Sequence, residues 1–133
     1  MSRADKDDAM QYAILCYHDE AAVGALTKEQ DDALMAELEV VRRKLEAKLG
    51  PVARLMPTTA ATTLRAGAEP LVVDGPFAET KEALLGFYII DCATLEEAIE
   101  AARLLMVPRT AAGLMGTMEV RPISVFFPGR GAA

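Results

Sequence analysis

The sequence predicts one α+β domain in which two helices cover a single face of an antiparallel sheet. Three observations predict it. Apolar runs suited to strands lie at Met10 to Tyr17 and at Gly86 to Cys92, apolar stripes at helical spacing follow Thr27 and Thr94, and the two kinds of segment alternate without internal repeats. A chain of 133 residues can bury one real core and has no room for a second packed domain.

The elements follow in order. Residues 1–9 read as a solvated arm, 10–127 as the domain and 128–133 as a glycine-rich tail. Met10 to Tyr17 is apolar on both alternating faces, which predicts a central strand covered on both sides. A loop then leads to Thr27, which forms a capping-box pattern with Gln30 and starts a helix whose inward stripe is Leu34, Leu38, Val41, Leu45 and Leu49. Gly50-Pro51 is expected to stop it. Val52 to Met56, Ala61 to Arg65 and Leu71 to Val73 are β-prone pieces, the last two forming a hairpin across Ala66 to Glu69.

Asp74-Gly75-Pro76 is a turn, and Glu79 to Glu82 is expected to add a single helical turn before the second central strand. Thr94 and Glu97 make another capping-box pattern, and Leu95, Ala98, Ile99, Ala102, Leu105 and Met106 form that helix's inward stripe. Pro108 is expected to end it, leaving residues 107–116 as a loop, Met118 to Ile123 as the last strand and Val125 to Phe127 as a short extension. This order predicts a ferredoxin-like sandwich. Its second sheet face would be apolar and uncovered, so a homodimer pressing two sheets together is expected.

Composition narrows the function classes. With 14 Lys and Arg against 20 Asp and Glu the net charge is -6, which argues against nucleic acid or an anionic membrane as partner. No apolar stretch reaches the roughly eighteen residues that a spanning helix needs. Cys16 and Cys92 lie apart within apolar runs, which suits buried thiols in a reducing, cytoplasmic compartment, and no ligand spacing around them or His18 predicts a metal. No tryptophan is present and no phosphate-cradling glycine loop precedes a helix, so no bound cofactor is expected.

The run Asp74-Gly75-Pro76-Phe77-Ala78-Glu79-Thr80-Lys81-Glu82, followed by Leu85-Gly86-Phe87-Tyr88-Ile89-Ile90-Asp91, resembles the signature of DGPF proteins within the YCII-related family. Tyr17-His18-Asp19-Glu20, Glu97-Ala98 and Glu119-Val120-Arg121-Pro122-Ile123 are similar to the same pattern, so the resemblance covers nearly the whole chain. It implies a dimeric α/β barrel with a pocket between helices and sheet. It also implies small-molecule binding, with two readings of the activity: a cofactor-independent enzyme working by acid/base chemistry, or a regulatory protein accompanying an extracytoplasmic-function sigma factor.

In the enzymatic reading His18, the sole histidine, is the general base, because its ordinary pKa lies near neutrality, and Asp74 orients it or serves as its acid partner. Members of the YCII type imply a histidine on the first helix. The segment Lys28 to Leu49 has none, so His18 takes that place. Lys81 would hold an anionic substrate, Tyr17 or Tyr12 would donate to an oxyanion, and Phe77 and Glu79 would complete the substrate contacts. The structural alternative makes His18 a loop residue, Asp74 a turn former, Lys81 a surface charge and the tyrosines packing.

Overall fold

The computed structural model describes residues 10–130, so the expected arm over 1–9 and the end of the expected tail lie outside the described residues. In chain order the elements are β1 (Met10–His18), α1 (Glu20–Gly24), α2 (Lys28–Lys44), β2 (Leu49–Arg54), β3 (Thr62–Arg65), β4 (Leu71–Asp74), β5 (Ala83–Cys92), α3 (Leu95–Ala111) and β6 (Thr117–Pro122). Four strands form an antiparallel sheet in the order β2-β5-β1-β6, and β3 and β4 form a separate two-stranded hairpin. With α2 and α3 joining its strands, this is the ferredoxin-like arrangement, and β1 and β5 hold the centre as their apolar runs predict.

Alternation along the strands decides which side chains meet the helices. Tyr12, Ile14 and Cys16 of β1 and Tyr88, Ile90 and Cys92 of β5 join Val41 and Leu45 from the α2 side and Ala98, Ala101, Ala102 and Leu105 of α3 in one buried core. The alternate set, including Leu15, Tyr17, Phe87 and Ile89, lies on the opposite face and is only partly buried. A smaller cluster of Leu34, Leu38 and Leu114 continues the core toward one end of α2.

Helix α2 starts as its capping box dictates: Thr27 Oγ1 accepts from Gln30 N at 3.1 Å and Gln30 Oε1 accepts from Thr27 N at 2.9 Å. Thr27→Ala removes the hydroxyl half of that box and is expected to cost about 1 kcal/mol, read as a lower denaturant midpoint with an unchanged slope.

Several boundaries differ from expectation. The helix ends at Lys44, and Gly50-Pro51 does not stop it but lies inside β2, an edge strand whose register with β5 shifts between Leu49 and Val52. That irregular edge position accommodates a residue with no N–H. Pro108 lies inside α3, which runs on to Ala111. It forfeits one bond, to the carbonyl of exposed Leu104, and the ladder resumes with Ala112 N donating to Pro108 O at 3.0 Å.

The buried face of α3 is also rotated from the expected stripe. Ala101 and Pro108 are buried, whereas Leu95 and Ile99 are exposed, because the alanines allow close approach. Glu97 caps only in part: its backbone donates to Thr94 Oγ1, but its carboxylate accepts from Ala93 N and pairs with Lys48 instead of reaching Thr94. The short helix α1, read as loop, is capped by Asp19 Oδ1, which accepts from Ala21 N at 2.9 Å. Residues 79–82 form no helical turn, with bends at Lys81 and Glu82 alone, and residues 125–127 form no strand.

Candidate functional site

The alternation that buries Ile14 and Cys16 also turns His18 toward the helices at the end of β1. Among the described residues His18 is the only buried polar one outside the apolar core, and neither of its ring nitrogens has a hydrogen-bond partner there. An unsatisfied buried donor or acceptor costs about 1–3 kcal/mol, so an apolar residue here would give a more stable protein.

The cavity has a volume of about 650 Å³ and opens between α1, α2 and the β2-β5-β1 part of the sheet. Aliphatic groups from Leu26, Leu34, Met35, Leu38, Val52 and Leu114 line much of it. Its polar lining includes His18, Tyr88 and Arg109, besides the charged groups of Glu20, Asp31, Arg42 and Arg54. Arg109 comes from the last turn of α3, where Nη1 donates to Leu105 O at 2.6 Å and Nη2 donates to Tyr88 Oη at 2.7 Å. Its guanidinium carbon stands 5.5 Å from the centroid of the Tyr88 ring.

Electrostatics follow from this placement. Burial is the main cause holding the His18 pKa below its ordinary 6.5, the positive charge of Arg109 pushes the same way, and Glu82 opposes both. His18 is therefore a neutral imidazole near pH 7, the form that can accept a proton. Burial pushes the Cys16 thiol up, against a smaller opposing effect of Arg109, so that thiol stays protonated and is not an activated nucleophile.

A histidine whose folded pKa lies below its unfolded value is protonated more readily in the unfolded chain. Stability is therefore expected to fall as pH drops through 6.5 toward the folded value. Denaturant midpoints measured across that window should show the slope, and His18→Gln should remove it. Glu20, Glu39 and Glu97, whose hydrogen bonds lower their pKa values, lose their contribution only as pH falls below 4.5, so the two effects separate.

Of the catalytic and substrate-contact residues expected from the sequence, His18 alone lines the cavity. Asp74 is exposed at the end of β4, pairs across the hairpin with Thr62 and makes no hydrogen bond to His18. Lys81, Glu79 and Phe77 are exposed on the connection from β4 to β5, and Phe77 is 76% exposed. Tyr17 lies on the opposite sheet face from His18, and Tyr12 is in the core. Gly75 adopts φ +98°, so the turn half of the signature run needs glycine for its backbone.

The member of that run whose charge reaches His18 is Glu82. It precedes Ala83, which pairs with His18 across the sheet, and its carboxylate accepts from Thr117 Oγ1 at 2.8 Å. Tyr88, Arg109 and Glu82 were not anticipated as site residues. Tyr88 shares the inward register of β5, a signal present in the alternation. Arg109 was hidden by ending the helix at Pro108.

Among the described residues no group of three or more His, Cys, Asp or Glu could hold a metal ion. No described helix is long and apolar enough to cross a membrane.

Fold and cavity together define a ferredoxin-like α+β domain with a half-apolar pocket between helices and sheet. The chain belongs to the YCII-related domain family, whose pattern matches residues 10–126. It is similar to an uncharacterized protein of Rhizobium meliloti (strain 1021), with 57% identity over 123 residues that cover 90% of this chain and 97% of that protein.

Proposed function

We propose that the protein is a cofactor-independent enzyme that binds a small organic molecule in this cavity and moves a proton with His18. The observation that carries the reading is the buried, unpartnered imidazole at the wall of a cavity large enough for such a molecule. Neutral His18 would take a proton from a carbon next to a carbonyl and return it to the same or a neighbouring carbon, so that no net proton is gained or lost. The Tyr88 hydroxyl, which accepts from Arg109 and keeps its own proton to donate, would stabilise the enolate oxygen between the two transfers. Asp74, Lys81, Phe77, Glu79 and Tyr17 would then act only if a second chain brought them to the cavity.

The working unit in this proposal is a homodimer in a reducing cytoplasm. The hairpin β3-β4 supports it, because Leu64, Leu71 and Val72 are more than half exposed and a lone two-stranded hairpin is marginal in water. The free, buried thiols Cys16 and Cys92 suit the compartment. The regulatory alternative would place a protein partner such as a sigma factor on the same hairpin and predicts its co-purification.

The test is solvent-deuterium exchange at acidic C–H positions of a panel of small keto acids and lactones, followed by NMR. Exchange by the wild type that is lost in His18→Gln supports the proposal. Exchange unchanged by that substitution, or absent across the panel, contradicts it.

A further inference from the structure

The charges along the cavity differ in how they are compensated. Arg54 pairs with Asp31, with Nη2 to Oδ1 at 3.2 Å, and Arg42 pairs with Glu39. Glu20 accepts from Thr58 N at 2.8 Å and from Thr58 Oγ1 at 2.5 Å. Glu20 thus has no cationic partner, and Arg109 is the cation among the described lining residues that has no carboxylate partner. Among the described residues it makes no ion pair, and both of its hydrogen bonds go to neutral oxygens, the Leu105 carbonyl and the Tyr88 hydroxyl. A half-buried guanidinium so placed presents a positive charge and remaining N–H donors to the cavity with no carboxylate bonded to it.

We infer that Arg109 is the anchor for the carboxylate of a small, apolar-bodied monocarboxylic acid, oriented by Tyr88 and extended along the aliphatic wall. The planar guanidinium matches a carboxylate in shape and charge. Val52, Leu34, Leu38 and Leu114 offer the rest of the molecule a surface that a sugar or a polyamine would not use. A phosphate dianion fits less well. One guanidinium balances one charge, and Arg109 stands in the last turn of α3, where the helix presents its partial negative end. Lys81, the residue expected from the sequence to hold an anion, is exposed outside the cavity.

This assignment rests on the cavity being the working site, but it is independent of whether His18 moves a proton. Exchange reads the histidine and calorimetry reads the arginine, so either can fail alone.

The probes are hexanoate, its neutral near-isostere hexanamide and inorganic phosphate, titrated calorimetrically into the full-length protein. Hexanoate is expected to bind about 10- to 100-fold more tightly than hexanamide, as a charge-assisted contact in place of a neutral one implies, and phosphate to bind not at all. Arg109→Gln should remove most of that preference, weakening hexanoate far more than hexanamide. Arg109→Lys, which keeps the charge but loses the planar fork, should retain part of it and serves where the glutamine variant does not fold. Equal affinity for acid and amide, no detectable binding of either, tight phosphate binding, or an acid preference that survives Arg109→Gln would each overturn the inference.

Discussion

Alanine at Gly116 is expected to destabilise the protein by about 1–3 kcal/mol and to displace His18 from its place at the cavity wall. A Cβ built on Gly116 overlaps the Nδ1–Cε1 edge of the imidazole and falls 2.5 Å from the Tyr17 carbonyl oxygen. The ring could rotate away, but the carbonyl belongs to the central strand β1 and cannot move without disturbing its pairing with β5 and β6. Thermal or denaturant unfolding reads the first effect, and the chemical shifts of the single histidine read the second. A variant as stable as wild type, with an unmoved histidine signal, would show that the two do not touch.

Leu105→Ala should cost about 2–5 kcal/mol, the range for emptying a filled core position. Leu105 has no exposed surface and packs in the cluster formed by β1, β5 and α3. Its carbonyl also accepts from Arg109 Nη1, so loosening α3 here should weaken the anchoring of the guanidinium together with the core. The unfolding free energy, read from denaturant titration, should fall by an amount near the upper part of that range if the alanines around it, Ala98, Ala101 and Ala102, leave no larger side chain free to collapse into the gap. A loss below about 1 kcal/mol would mean that the helix is less tightly held than its burial implies.

The sequence made the sheet legible where one signal dominated. The central strands declare themselves by apolar residues on both faces, and Thr27 and Thr94 mark helix starts because a side-chain oxygen can satisfy an otherwise orphaned N–H. Boundaries were harder to read where proline was the guide. Pro51 tolerates an irregular edge strand, and Pro108 costs a helix one bond at an exposed carbonyl, so neither breaks its element.

The site was only partly legible. His18 stands out because it is the sole histidine, and the alternation of β1 fixes its inward direction. The run from Asp74 to Glu82 drew attention to the hairpin, whose charges lie outside the cavity of the single chain. Arg109 and Tyr88 meet across 21 positions of sequence, through the packing of α3 on β5, and no local pattern announces a contact of that kind.

The central claim is that His18 is a neutral, unpartnered base beside an uncompensated arginine, and its sole-histidine status permits a direct measurement. An NMR titration of its imidazole in the untagged protein should give a midpoint below 6.5, rising when Arg109 is replaced by glutamine. A midpoint at or above 6.5, or one indifferent to Arg109, would contradict the account.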